Sequence, residues 1–528
     1  MRKFRKNRRT PSNFQKTNSK GTEQQPIFES LEDNIQFIKD KTGNSDDITI
    51  RNIKIGENFN TSIAVIYTEG LIDSPSVQNF ILETLMLDSQ KTPFNTTNNV
   101  NSNSFLTYLE ESILTVGSIK YIENYDELFT SLLSGNVIIF VDGYNESLSV
   151  GMKGGKDRGV NENTNEPSIR GPKESFSESL RTNTSLVRRK INNPNLWIEN
   201  KKIGKETKTD VSILFINGIA NEKVVEEVRT RLNRIDIDGI LDGGYIEELI
   251  QDETYTPFPT IFHTERPDVT AAALLEGRVA IMIDGSPHPL LVPGLFVQFF
   301  QTADDYYQRA DSSTLLRMLR FLGFIIALLG PSLYIALTTF HQEMLPTPLL
   351  ISLAAQREGV PFPAFIEALM MEVTFEILRE AGLRMPRAVG QAVSIVGTLV
   401  IGTAAVEAGI VSAAMVIVVA ITAISSFVVS SFNLAIAVRM LRFPFMGLAA
   451  SFGLFGIIIG LIALILHLCS LRSFGVPYMA PFAPYIGADQ KDALFRLPHW
   501  GLSTRPRLIS QKNVKREDTP PPKPKERI

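Results

Sequence analysis

The stretch FLGFIIALLGPSLYIALTTF, Phe321 to Phe340, decides how the rest of the chain must be read. It carries no charge over roughly twenty residues, the length a helix needs to cross the hydrocarbon of a bilayer. Further runs behave alike. AVGQAVSIVGTLVIGTAAV, Ala388 to Val406, is nearly as long, and no charged residue lies between Glu407 and Arg439. From Phe443 to Leu471 the only ionisable side chains are His467 and Cys469. An unpaired backbone group in hydrocarbon costs several kcal/mol, so runs of this kind are expected as helices. The expectation is an α-helical polytopic membrane domain over residues 301–488, with four spans and one ambiguous segment.

Working outward, whole-chain values conceal this division. A net charge of -3 and a hydrophobic share of 44% over 528 residues average a polar front half with an apolar back half. The length admits two or three domains. The single cysteine, Cys469, excludes an internal disulfide and a cysteine-based metal cluster, and its apolar surroundings fit an inert thiol. Residues 1–26 form a basic, polar tail with too little apolar surface to fold. No apolar segment stands behind its arginines and lysines, so it does not read as a signal peptide. The front of the chain is therefore expected on the cytoplasmic side.

The front half is expected to be α/β and built twice. SIAVIYTEG (Ser62 to Gly70) and VSILFINGI (Val211 to Ile219) are buried-type strands ending at glycine, each followed by a helical pattern. LLSGNVIIFVDG (Leu132 to Gly143) and LLEGRVAIMIDG (Leu274 to Gly285) match in pattern and endpoint. These place two related cytoplasmic subdomains at 27–150 and 210–300, with a linker and connecting helix at 151–209. Asp142 and Asp284 sit in Asp-Gly turns, and a tight reversal is the better reading than catalysis. Arg181, Arg188, Arg189 and Lys190 are expected on the exposed face of the connecting helix. Ser286 to Phe300, apolar but broken by Pro287, Pro289, Pro293 and Gly294, fits an interfacial or re-entrant piece. Residues 489–528, ending REDTPPPKPKERI, read as a disordered cytoplasmic tail.

The ambiguous segment is PFPAFIEALMMEVTFEILREAGL, Pro361 to Leu383, with Glu367, Glu372, Glu376 and Glu380. The last three are four apart and stack on one helix face. On an interfacial helix that face is simply wet; inside a bundle it marks an ion or proton path. Basic flanks at Arg317, Arg320, Arg384, Arg387, Arg439 and Arg442 suit the cytoplasmic side and ask for an even number of crossings. Ala449, Gly453, Gly456 and Gly460 recur at helical spacing and allow close helix packing. Pro331 is expected to kink the first span.

Motifs of chemistry do not speak for an enzyme. There is no P-loop, no GxGxxG and no GxSxG, and the five histidines show no metal-ligand spacing. No cofactor is expected, and the folded part is not cationic enough for nucleic acid. The residues alone stop at a membrane channel, transporter or sensor with a cytoplasmic α/β domain.

Three stretches resemble one family closely. They are RGPKESFSESLRTNTSLVRRKI; ILDGGYIEELIQDETYTPFPTIFHTERPDVTAAALLEGRVAIMIDGSPHPLLVPGLFVQFFQTADDYYQR; and LLISLAAQREGVPFPAFIEALMMEVTFEILREAGLRMPRAVGQAVSIVGTLVIG. The chain resembles the A-subunit family of bacterial spore germinant receptors, the GerA family. The resemblance implies a role in starting germination from the inner membrane of the dormant spore. It further implies a transporter-like B subunit and a lipoprotein C subunit as partners, and homo-oligomers enclosing a cation-releasing pore. On that reading Glu367, Glu372, Glu376 and Glu380 are candidates for the ion path and Val360 for an apolar constriction. The alternatives are a transporter-like nutrient-binding protein and a scaffold of the receptor complex.

Overall fold

The computed structural model describes residues 25–55, 61–87, 106–107, 109, 118–154, 166, 169–385 and 402–522. The chain divides into two compact units, Met1–Asp40 with Ile48–Gly155, and Lys41–Asp47 with Lys156–Ile528.

The first unit is built on a five-stranded sheet in the order β1-β2-β4-β5-β3. Its strands are β1 (Ile48–Ile55), β2 (Thr61–Thr68), β3 (Ile119–Ile122), β4 (Val137–Val141) and β5 (Ser147–Val150). All pairings are antiparallel. β4, VIIFV, is buried at every position, as a central strand covered on both faces must be. Helix Tyr125–Leu133 covers one face; Asn124 caps it by accepting from the Glu127 N–H at 2.9 Å.

The second unit repeats the plan, with β6 (Leu196–Ile203), β7 (Thr209–Ile216), β8 (Phe262–His263), β9 (Val279–Ile283) and β10 (Leu290–Val292) in the order β6-β7-β9-β10-β8. Its pairings are antiparallel too. Helix Glu222–Asn233 turns Val224, Val225, Val228 and Leu232 inward, one stripe of a 3.6-residue period.

The duplication extends to single hydrogen bonds. Asp142 Oδ1 accepts from the N–H of Leu31, the first residue of helix Leu31–Thr42, at 3.0 Å. Asp284 Oδ1 accepts from the N–H of Leu180, the first residue of helix Leu180–Lys190, also at 3.0 Å. Asn34 clasps the backbone of Phe28 through both side-chain ends, and Asn183 clasps Ser177 the same way. Gly143 and Gly285 follow at φ 86° and 87°, where a side chain would be strained. Both aspartates are thus engaged in fixing a helix start, where a carboxylate also meets the positive end of the helix dipole.

Helix Leu180–Lys190 therefore belongs to the second repeat, and one of its arginines departs from the expected exposed face. Arg188 is 1% exposed. Its Nε meets Asp47 Oδ2 at 2.9 Å and its Nη2 meets Asp47 Oδ1 at 3.0 Å.

Two other stretches differ from the sequence reading. Ser286 to Phe300 is not interfacial: it supplies β10 and the short helix Phe296–Phe300, all buried. It turns inward because its leucines complete the sheet and its phenylalanines join the helical core. The tail, read as disordered from 489 onward, is folded through much of its described length. Ile509 is 1% exposed, and Arg505 Nε donates at 2.8 Å to the carbonyl of Leu275, the last residue of helix Pro267–Leu275. A helix C-terminus leaves such carbonyls open, and a basic side chain closes this one.

Among the described residues, two helices are long and apolar enough to cross a membrane, Ala310–Thr339 and Phe432–Ser470; Ala413–Val428 is a shorter apolar helix. Four spans were expected, and the run Ala388 to Val406 lies largely outside the described residues. Residues 341–361, between the first span and the glutamate-bearing segment, contain the helix Thr347–Arg357. Helix Phe432–Ser470 is broken at Gly453, whose φ of 58° and ψ of -141° are not helical. A Cβ on Gly460 would lie 2.8 Å from Phe445 Cε1, although the two are fifteen positions apart. A straight helix would hold them roughly 22 Å apart, so the chain folds back at Gly453 into two arms.

Candidate functional site

Helix Ala364–Arg384 starts at Pro363, whose extended backbone and missing N–H suit a helix entry. It carries the four candidate glutamates. The structure gives each a partner, and three of the four glutamates are partnered from other elements.

Glu367 is fully buried and its Oε1 accepts from the Ser412 N–H at 2.6 Å and from the Ser412 hydroxyl. Ser412 is the N-cap of helix Ala413–Val428, so Glu367 reinforces a helix start. Arg357 Nε stands 3.9 Å from the other oxygen of Glu367. Glu372, also fully buried, pairs with Arg442 Nη1. Glu376 Oε2 accepts from Arg439 Nη1 at 2.8 Å, with Arg379 Nη1 3.7 Å away. Glu380 pairs with Arg384 at 2.7 Å on the exposed surface. Val360 lies half-buried in the turn before this helix, its N–H bonded to the Arg357 carbonyl at 3.0 Å.

The carboxylate face is thus a seam between helices, matched by arginines one turn apart on helix Phe432–Ser470. Two glutamates four apart meet two arginines three apart, a spacing of about one turn on each helix. Burial of such pairs is costly unless the geometry satisfies both partners. Here it does so in part: Glu372 Oε1, Glu376 Oε1 and Arg442 Nη2 have no hydrogen-bond partner among the described residues.

The small residues gather at the fold-back. Ala449, Gly453 and Gly456 are buried. A Cβ on Gly453 would lie 2.7 Å from His341 Cε1, and one on Gly456 would strike the Leu448 carbonyl. Glycine at these places lets the two arms and the end of helix Ala310–Thr339 approach.

Two polar clusters flank the helices. At the start of helix Ala310–Thr339, Arg317 is fully buried between Asp305 at 3.2 Å and Asp492 at 3.0 Å, and Arg320 joins Asp305 at 2.8 Å. Burial alone would raise the Asp305 carboxyl, but Arg320 and Arg317 overcome it and hold it below the usual range. Arg317 and Arg320, two of the arginines expected as topological flanks, are spent inside this knot. In the second cluster, His263 Nε2 lies 3.0 Å from Asn433 Nδ2, and the His263 and His288 rings are 5.8 Å apart. Ser286 donates to Asp242 at 2.6 Å beside them. Burial, with His288 second, pushes His263 down to about 4; burial, with Asp242 second, pushes Glu247 up to about 7. No grouping that could hold a metal ion occurs among the described residues.

Sequence reasoning missed Ser412, Arg439 and Arg442 as partners of the glutamates. The signal was present: charges in otherwise apolar helices, spaced by one turn on both sides.

A family model described as Bacillus/Clostridium GerA spore germination protein matches residues 36–508. Spore germination protein KA of Bacillus subtilis (strain 168) is 50% identical over 491 residues, 93% of this chain and 89% of that protein. The uncharacterized membrane protein YfkQ of the same organism is 43% identical over 497 residues, 93% of this chain and 94% of its own. A crystal structure of the N-terminal domain of the A subunit of the Bacillus megaterium spore germinant receptor GerK3 is 46% identical. It covers 52% of this chain and 99% of that one, with a TM-score of 0.41.

Proposed function

Since the chain belongs to the GerA family of spore germination proteins, we propose that it is the membrane subunit of a nutrient germinant receptor. In this reading it oligomerises to form or gate a cation-release channel and catalyses no reaction of its own. It sits in the inner membrane of the spore as a multi-pass protein with its N-terminus in the cytoplasm. Its partners are the B and C subunits of the receptor.

The observation that carries the reading is the fully buried Glu372–Arg442 pair inside an apolar helical unit. Ionisable groups at that depth are expensive to keep and mark ion pathways where they occur in membrane helices. The exposed apolar faces fit lipid or neighbouring subunits: Ile417, Ile421 and Ile424 on one helix, Phe455, Ile458 and Ile462 on another.

The test is reconstitution of the full-length chain, alone and with co-expressed B and C subunits, into liposomes loaded with potassium. Nutrient-dependent potassium release from an oligomer supports the reading. A monodisperse monomer that releases no cation with its partners present and nutrient added removes the channel assignment.

A further inference from the structure

A proline has no N–H, so in a helix it strips the carbonyl four residues earlier of its partner. Pro331 does this to the carbonyl of Ala327, a residue with no exposed surface at all. Buried carbonyls do not stay unpaired, and this one does not. Arg442 Nε donates to it at 2.8 Å. The same guanidinium, through Nη1, donates to Glu372. Arg442 lies on helix Phe432–Ser470, Ala327 on helix Ala310–Thr339 and Glu372 on helix Ala364–Arg384. One side chain, 1% exposed, ties three helices.

The two bonds are unequal in what they leave behind. Arg442 holds two partners, whereas Glu372 makes its one hydrogen bond to Arg442 among the described residues. If helix Ala364–Arg384 swings away, the guanidinium remains anchored to the Ala327 carbonyl and the carboxylate is set loose. Neither the carboxylate nor the guanidinium it leaves can stay ionised in a dry apolar seam, so a separation that keeps both charges requires water to enter as the helices part. One turn on, Glu376 would leave Arg439 in the same movement.

We propose that Arg442 is a positioning residue that latches the ion path shut. Opening transfers Glu372 from a sealed pair to the water-filled wall and so gives the path its preference for cations. This rests on the channel reading above.

Two measurements on the full-length protein separate the latch from that reading. The first is a double-mutant cycle in melting temperature, in detergent, with Arg442→Lys and Pro331→Ala. Lysine keeps the charge but lacks the fork that serves two sites, so Arg442→Lys is expected to lower the melting temperature on the order of 5 °C. Pro331→Ala restores an N–H to the Ala327 carbonyl, so the same change should cost clearly less in that background. Additive effects overturn the three-helix tie, whether or not any form conducts. Should Arg442→Lys alone fail to accumulate, accumulation of the double variant counts as the coupling and its absence as refutation.

The second is nutrient-independent potassium leak from liposomes carrying Glu372→Gln at protein levels matched to the wild type. A leak several-fold above wild type, with reduced preference for potassium over chloride, supports the latch. An unchanged leak overturns it while the wild-type response to nutrient leaves the channel reading standing. Absence of conductance from every form under every condition overturns the channel reading and the latch with it.

Discussion

Replacing Asp47 with asparagine tests the arithmetic of burial in the α/β part of the second unit. Every N–H of the Arg188 guanidinium is used. Nε and Nη2 meet the Asp47 carboxylate at 2.9 and 3.0 Å. Nη1 donates to the carbonyls of Leu196 at 2.8 Å and Asn193 at 3.3 Å. Nη2 also reaches Ser45 Oγ at 3.3 Å, and Ser45 in turn holds Asp47 at 2.6 Å and the Ile198 N–H at 2.9 Å. With Arg188 1% and Asp47 9% exposed, Asp47→Asn leaves a buried cation without its countercharge. Such a loss costs about 3–5 kcal/mol. The exposed pair Lys205–Asp236, as short as 2.7 Å but 59% and 74% exposed, should give about 0–1 kcal/mol when Asp236 is replaced by asparagine. The assay is amide hydrogen exchange of the full-length protein, followed over Leu196–Ile203, whose Ile198 N–H rests on Ser45. At 1.4 kcal/mol per factor of ten, the loss should speed exchange there on the order of a hundredfold or more. Asp47→Asn combined with Arg188→Met should be milder than Asp47→Asn alone, because no charge is left buried. A less than tenfold change for Asp47→Asn, or a double variant worse than the single, would refute the argument.

Three further outcomes are expected. Asp142→Ala and Asp284→Ala each remove a helix anchor in a separate unit, so each should cost about 1 kcal/mol and the pair should add, read by urea unfolding of the full chain. Gly453→Ala places a Cβ 2.7 Å from His341 at a φ of 58°, and at about 1–3 kcal/mol it should reduce the yield of folded protein on size exclusion in detergent. Glu247 binds its proton up to about 7 when folded against 4.5 otherwise, so it makes stability fall as pH rises across that window. His263, at about 4 folded against 6.5, makes stability rise with pH over nearly the same range. Glu247→Gln should therefore leave melting temperature climbing from pH 4.5 to 6.5 where the wild type is flatter; an unchanged profile counts against both assignments.

What could be read in the sequence was local. The matched strands of LLSGNVIIFVDG and LLEGRVAIMIDG became β4 and β9, the central strands of two sheets with one topology. Their Asp-Gly ends announced turns, and turns they are, with an anchoring duty that only the partner helix reveals. Apolar continuity announced Ala310–Thr339 and Phe432–Ser470. It could not announce the break at Gly453, because glycine at helical spacing looks the same whether it packs a straight helix or turns the chain. Nor could composition place Ser286 to Phe300: a short apolar run with prolines satisfies a membrane interface and a sheet edge equally, and only the pairing of β10 with β8 and β9 decides.

The charges pair over distances that no local reading of the chain contains. Sidedness rules count Arg317, Arg320, Arg439 and Arg442 as free positive charge. A count is valid only for side chains that stay in water at the headgroups. Arg442 finds Glu372 70 residues away and Arg439 finds Glu376 63 away. Arg317 finds Asp492 175 away, and Arg188 finds Asp47 141 away. Nothing in a window of sequence carries those distances. One clue does survive in the linear chain: an arginine amid apolar helix, facing a glutamate amid apolar helix at a matching one-turn spacing, has no cheap way to remain single. Taken that way, Glu372 and Glu376 with Arg439 and Arg442 form one constellation. The choice between a wet face and an ion path then turns on whether the seam they make can open.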